Sequence, residues 1–162
     1  MGSRFNNDNL DFAYIAGFLD GDGSLMFQIK KRKDGKRGWR FMFTICLYQD
    51  IRHEKPLLWM RKKFGIGYIF RRNDNITELR INGYEQTRRI LELLNSFLRF
   101  KKQQAQAMLK AASLLCKKNV SHLSRRDKTV LAECLLAIQN ANYVTKRKKT
   151  KEDVYKLLDL TP

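Results

Sequence analysis

Hydrophobic residues recur with helical spacing from Leu10 to Leu19, and Asp8 or Asn9 stands where a helix cap is expected. Ala13, Ala16, Gly17 and Asp20 fall at i, i+3, i+4 and i+7, a stripe of small residues that lets a second helix approach closely. Gly21 and Gly23 predict a tight turn directly after it. The period then shortens to two. Leu25, Phe27 and Ile29 alternate with Met26, Gln28, Lys30 and Arg32, and Phe41, Phe43, Ile45 and Leu47 alternate with Arg40, Met42, Thr44, Cys46 and Tyr48. These are two strands, with Asp34-Gly35 in the hairpin loop between them.

Residues 53–64 read as a helix with Pro56 in its first turn, ended by Gly65-Ile66-Gly67. A second hairpin follows over 66–72 and 76–82, with Tyr68, Phe70, Arg72, Glu78, Arg80 and Asn82 directed outward. After Gly83 the pattern is helical over 84–97 and 101–116. Ser124 with Asp127, and Thr150 with Asp153, have the spacing of capping boxes that start two more helices. The order α-β-β-α-β-β-α followed by helices predicts an α+β fold. Helices pack one face of a four-stranded antiparallel sheet, and the other face is left open, polar and basic.

Charge sharpens this picture. The chain carries 33 Lys+Arg against 16 Asp+Glu, a formal net charge of +17. A polyanion is the expected partner, a nucleic acid first and an anionic membrane surface second. No apolar run approaches the roughly 20 residues of a membrane span, so no membrane partner is expected. The basic runs lie at 30–40, 61–63, 99–102, 125–128 and 146–151, whereas residues 1–23 hold Asp8, Asp11, Asp20 and Asp22 against Arg4 alone. An acidic spot on a basic chain fits a metal site that faces phosphate. Cys46, Cys116 and Cys134 lack metal-ligand spacing and imply free thiols in a reducing compartment. Residues 1–9 read as an N-terminal extension, with Met1-Gly2-Ser3 as a tag remnant, and residues 10–162 as a single domain.

The candidate chemistry is concentrated in Tyr14-Ile15-Ala16-Gly17-Phe18-Leu19-Asp20-Gly21-Asp22-Gly23-Ser24. It places two carboxylates at a helix C-terminus, which is already partially negative and favours acids only where a cation meets them. The stretch resembles the defining motif of the LAGLIDADG homing endonucleases, and residues 10–158 are similar to the compact, single-motif branch of that family. Three further stretches carry the likeness: 43–49 leading into a helix that ends at Gly65-Ile66-Gly67-Tyr68, Phe97-Leu98-Arg99-Phe100-Lys101-Lys102-Gln103-Gln104-Ala105, and the basic turn and helix at 145–153.

The resemblance implies the homing-endonuclease fold, with a DNA-binding saddle sheet and C-terminal helices. It implies a homodimeric, Mg²⁺-dependent enzyme of intron homing that cuts double-stranded DNA at a long pseudo-palindromic site. Mn²⁺ is expected to be tolerated and Ca²⁺ to support binding only. Within that reading Asp22 is the direct metal ligand and Gly21 offers its carbonyl. Lys101 stabilises charge on the transferring phosphate, and Gln49 organises water or metal. Asp20 is a turn or cap residue on the stripe Ala13, Ala16, Gly17 and Asp20, which faces the twin helix of the dimer. His53 departs from a family that often carries Arg or Lys there. A proton shuttle, replacement by Arg52 and an ordinary helix residue all remain open.

A strand of about 10 residues rises about 33 Å, close to the axial length of about 10 base pairs, so each subunit follows one half-site. On the outer face Gln28 suits adenine, and Lys30, Arg32, Arg40, Arg72 and Arg80 suit guanine edges or phosphate. Met42, Cys46, Tyr48 and Phe70 suit thymine methyls or the groove wall, with Thr44 and Tyr68 beside them. Glu78 is open to two readings, an acceptor from cytosine or a brace for Arg80. Lys146, Lys148 and Lys149, with Arg147, grip the DNA backbone. Two alternatives share the fold: a regulator that binds DNA without cutting, and an RNA-splicing maturase that binds intron RNA. Retention of Asp22, Gln49 and Lys101 favours the enzyme. The expected setting is intracellular, an organelle (chloroplast or mitochondrion) or a microbial cytoplasm.

Overall fold

A computed structural model describes residues 7–34, 36–143 and 146–161. Gly35 of the expected hairpin loop, Thr145 of the basic stretch, and residues 1–6 with the tag remnant lie outside the described residues. The elements run α1 (Asn7–Asp22), β1 (Gly23–Lys31), β2 (Trp39–Asp50), a 3₁₀ turn (Ile51–His53), α2 (Lys55–Phe64), β3 (Tyr68–Arg71), β4 (Ile76–Asn82), α3 (Tyr84–Leu94), α4 (Lys102–Lys117), a second 3₁₀ turn (Val120–His122), α5 (Arg125–Ala141) and α6 (Lys151–Leu157). The four strands form one antiparallel sheet in the order β1-β2-β4-β3.

Alternation along the strands decides which face is covered. Leu25, Phe27 and Ile29 of β1, Phe43, Ile45 and Leu47 of β2, and Leu79 and Ile81 of β4 are buried beneath the helices. They join Ile15 and Leu19 of α1, Leu57 and Met60 of α2, Ile90 and Leu91 of α3, Met108 of α4 and Leu131 of α5 in one core. Phe27 pairs with Phe43 across the ladder and their rings stack at 4.2 Å. Trp39 packs edge-on against Phe41 on the same side, as a packing residue should.

Three boundaries differ from those the sequence predicts. Helix α1 begins at Asn7, so Asp8 and Asn9 lie inside it, and part of the expected extension is helical. Asp8 and Asp11 instead meet the Lys63 ammonium, which joins the first turns of α1 to the end of α2. At its other end α1 continues through Gly21 to Asp22, and β1 opens at Gly23 with no intervening turn. A Cβ at Gly23 would lie 2.5 Å from the Leu19 side chain and 2.8 Å from its carbonyl oxygen, so only glycine permits this abrupt exit. His53 lies in the 3₁₀ turn ahead of α2, not in the helix, because Pro56 occupies the first turn of a helix that starts at Lys55.

The two capping boxes form as expected, with Ser124 and Thr150 accepting from the Asp127 and Asp153 amides. Asp127 also accepts from the Lys118 ammonium at 2.8 Å, and these partners, Lys118 first, hold its carboxyl at about 2. A depressed carboxyl stabilises the fold above its unfolded value of 3.8, and that contribution is lost as pH falls through about 2. Urea midpoints of the wild type should therefore fall more steeply than those of Asp127→Asn between about pH 4 and pH 2. Equal slopes would show that the carboxylate is not held by these partners.

Candidate active site and nucleic-acid interface

The C-terminus of α1, the end of β2 and the start of α4 meet at one place. Gly23 pairs with Leu47, so Asp22 and Gln49 lie at the same end of the sheet. Asp22 is the last residue of α1 and is exposed, as is Gly21. The carbonyls of a last helical turn have no partner within the helix. An exposed carboxylate beside such carbonyls is a hard-oxygen donor set of the kind that Mg²⁺ or Ca²⁺ accepts. The residues therefore fit a divalent cation, with Asp22 and the Gly21 carbonyl as the groups that would hold it. Among the described residues there is no cluster of three or more His, Cys, Asp or Glu side chains able to bind a metal.

Asp20 is a cap residue, as the sequence predicts, and the correction concerns only its place on the small-residue stripe: its side chain is 8% exposed and turned into its own chain. One carboxylate oxygen accepts from the amides of Arg99 (2.6 Å) and Phe100 (3.2 Å), and the other accepts from the amide of Lys101 (2.9 Å). Those amides precede α4, so Asp20 caps from α1 a helix whose own first residues offer no side-chain cap. The Lys101 ammonium donates to the Asp20 carbonyl oxygen at 2.5 Å. Burial pushes the Lys101 amine below its usual range, against the opposing charges of Asp20 and Asp22. Its cation therefore stands within the field of the Asp22 carboxylate, partly withdrawn from water.

Gln49 is half-buried, and its side-chain oxygen accepts from the Asp50 amide at 2.8 Å, leaving the NH₂ group for other partners. His53 is exposed and makes no side-chain hydrogen bond among the described residues. Beside it the exposed Arg52 guanidinium is bound along one edge to Asp50, at 2.9 and 3.0 Å. That contact, first among its partners, holds the Asp50 carboxyl at about 2. Glu54, absent from the sequence reading, accepts from Arg71 (2.8 Å) and the Thr77 hydroxyl (2.7 Å) and fixes the start of α2 to the second hairpin.

The outer sheet face carries the remaining candidates in register. Ser24, Cys46, Arg80 and Tyr68 form one row across the four strands, and Tyr48, Glu78 and Phe70 form the next over β2, β4 and β3. Gln28 lies opposite Met42, and Lys30 opposite Arg40. Lys30, Arg40, Tyr68, Phe70, Arg72, Lys146, Lys148 and Lys149 are exposed; Gln28, Met42, Tyr48 and Arg80 are half-buried. Arg32 is exposed and paired with Asp34 at 2.7 Å.

Thr44 and Cys46 are corrections to the expected contact set. They point outward but are 4% and 1% exposed, because neighbours on adjacent strands cover them. Thr44 donates to the Asn82 side-chain oxygen at 2.8 Å. Burial raises the Cys46 thiol to about 11. Beside it Tyr48 shares a hydrogen bond with Ser24 at 2.9 Å, and burial raises its hydroxyl to about 12. Thr44 and Cys46 thus shape the face from beneath, while Tyr48 stays half-open on it.

The small-residue stripe is corrected as well. Ala16 is fully buried in its own chain's core and Ala13 is half-buried. The face of α1 left open is Leu10, Tyr14, Gly17 and Gly21, at i, i+4, i+7 and i+11. A Cβ at Gly17 or Gly21 would meet nothing within 4 Å. Tyr14, 56% exposed, extends this face to Trp59 of α2, its ring 5.9 Å away. The signal for this face was the spacing of Leu10, Tyr14 and the two glycines, which the alanines mask.

A cationic sheet face with a carboxylate, an amide and a lysine gathered at one end is equipment for binding and cutting a polyanionic backbone. The chain belongs to the LAGLIDADG endonuclease family, whose sequence profile matches residues 15–113. It is 29% identical over 143 residues to DNA endonuclease I-CvuI of Chlorella vulgaris, covering 88% of this chain and 84% of the relative. It is 26% identical over 159 residues to DNA endonuclease I-CreI of Chlamydomonas reinhardtii, covering 98% and 94%. The crystal structure of I-CvuI in complex with its target in the presence of 2 mM Ca superposes with a TM-score of 0.78 at 28% identity, covering 94% of this chain and 95% of that one. The archaeal endonuclease I-Vdi141I complexed with DNA, at 21% identity and a TM-score of 0.78 over 94% and 96%, shares the fold.

Replacing Asp20 by Asn removes the charge from three amide hydrogen bonds and turns an NH₂ group toward one of them. The fold should lose about 2 kcal/mol in urea unfolding. Cleavage should fall further than target binding, because Lys101 is released. An unchanged urea midpoint would show that the carboxylate does not hold this loop.

Proposed function

We propose that the chain is a site-specific, divalent-metal-dependent DNA endonuclease that works as a homodimer. The observation that carries this reading is the isolated Asp22, exposed beside an open glycine face. A second copy packed on Leu10, Tyr14, Gly17 and Gly21 would bring a second Asp22 to the two-fold axis, with phosphate oxygens completing the ligand set. The names of the relatives, DNA endonucleases I-CvuI and I-CreI, and the DNA targets in the related structures support the same substrate.

Hydrolysis of a phosphodiester adds water to phosphorus and expels a sugar oxygen, which leaves with a proton. When bound, the divalent cation supplies charge neutralisation at phosphorus and a more acidic water. Asp22 and the Gly21 carbonyl are the groups that would hold it, at the helix end. The Lys101 ammonium stabilises charge that builds on the phosphoryl oxygens, and its partial desolvation strengthens that interaction. The free NH₂ of Gln49 orients water or a phosphate oxygen. The exposed cations of the sheet and of residues 146–149 hold the duplex. The target is a pseudo-palindrome of roughly 20 base pairs, one half-site for each subunit. Mg²⁺ supports cutting, Mn²⁺ substitutes for it, and Ca²⁺ supports binding alone. An intracellular, reducing setting suits the free Cys46, Cys116 and Cys134.

Asp22→Asn should lower cleavage in Mg²⁺ at least about a thousandfold, roughly 4 kcal/mol of barrier, while target binding in Ca²⁺ persists. Wild-type cutting by this variant would remove Asp22 from the reaction. The dimer has its own test in Gly17→Leu. Within one chain the new side chain meets open space, and leucine favours the helix by about 0.8 kcal/mol over glycine. The variant should therefore keep or raise its melting temperature yet sediment as a monomer. A dimer retained in sedimentation velocity would place the interface elsewhere.

A further inference from the structure

Glu78 is a carboxylate on the outer face of the sheet with 2% of its side chain exposed. One oxygen accepts from the Arg72 guanidinium at 3.2 Å, and the other accepts from Nε of Arg80 at 2.5 Å, with Nη2 of the same guanidinium in ion-pair contact at 2.5 Å. Both oxygens are thus engaged. With 2% of its side chain exposed, Glu78 presents no open edge to a cytosine amino group. Glu78 therefore braces its neighbours, and the question becomes which neighbour it braces for recognition.

The two arginines differ in what they have left to offer. Arg72 donates Nη1 to Glu78 and Nη2 to Asp74 at 2.5 Å, so acids hold both terminal nitrogens and much of its charge is matched. Arg80 contacts no acid but Glu78 among the described residues, and that contact uses the Nε side of its guanidinium. Its far end, Nη1 with the outer hydrogen of Nη2, remains as a two-pronged donor. The plane is held as well, since the guanidinium carbon lies 5.0 Å from the centre of the Phe70 ring. Tyr68, opposite Arg80 in the ladder, lies along the same edge. A guanidinium fixed on one edge by a buried acid and on one face by an aromatic ring loses little freedom on binding. Its exposed fork has the geometry that matches O6 and N7 of guanine.

We propose that Arg80 specifies one guanine in each half-site, presented by Glu78 and Phe70, and that Arg72 and Glu78 read no base. The proposal rests on the endonuclease reading above and adds to it a base and a residue. It also predicts that the guanine recurs symmetrically, once for each subunit.

The test is to bind and cut a library of randomised duplexes with the wild type, Arg80→Ala, Arg80→Lys and Glu78→Gln, with folding of each checked by its melting curve. The wild-type profile should contain one strongly preferred guanine per half-site that both Arg80 variants relax selectively, by roughly tenfold to a hundredfold. Arg80→Lys keeps the charge and loses the fork, so its selective loss separates base reading from phosphate attraction. Glu78→Gln should weaken the same preference and no other. A uniform loss across all sequences, or an unchanged profile in Arg80→Lys, would overturn the assignment while leaving the endonuclease reading intact. A wild-type protein that neither binds nor cuts any duplex would overturn the endonuclease reading itself.

Discussion

A single buried carboxylate, Asp20, connects the chemistry of this molecule to its fold. It leaves α1 one residue before Gly21 and accepts three amides that belong to the turn before α4. Because the acceptor is charged and the donors are the unpaired amides of a helix start, the interaction satisfies both ends at once. It brings Lys101 back onto the carbonyl of Asp20 itself. Two segments far apart in sequence are thereby locked, and the ammonium is anchored to a backbone carbonyl two residues before Asp22. A catalytic lysine on a free loop would be held far less closely.

The outer face shows the same economy with the opposite purpose. A surface meant only to attract a polyanion needs exposed cations and nothing else. Here Thr44, Cys46 and Glu78 are buried beneath that surface, joined to or covered by the residues around them. Burying a carboxylate is costly unless charged donors meet it, and two arginines do. The result is a face with exposed cations, such as Lys30 and Arg40, and a fixed cluster centred on Glu78. Exposed cations suit long-range attraction, and a fixed guanidinium suits the proposed reading of a base.

Elements with a strong period were readable from the sequence. The alternation of Phe43, Ile45 and Leu47 against their polar neighbours gave the sheet's inner face, and the Ser124 and Thr150 capping boxes gave two helix starts. Motif residues such as Asp22 and Lys101 came together where expected because they sit at element ends that the topology must bring together. What the pattern could not show was which small or polar residue the chain needs for itself. Ala16 and Gly17 look alike as a stripe, yet one is sealed in the core and the other opens to solvent. Asp20 and Asp22 look alike as acids, yet one is spent on backbone amides. Period gives direction, but occupancy depends on partners that lie far away in sequence.

The two sides of α1 bear on the proposed dimer in the same way. The side of α1 that this subunit buries is lined by Ile15, Ala16 and Leu19, while the side it leaves open keeps glycines where nothing in the same chain crowds them. Glycine in a helix interior costs about 1 kcal/mol relative to alanine, so two of them on an uncrowded face destabilise the isolated helix without an internal return. The loss makes sense if another backbone must come close at Gly17 and Gly21, next to the exposed carboxylate of Asp22. Asp22 sits on the same helix end as those glycines, so the approach that removes the open face is also the approach that doubles the acid.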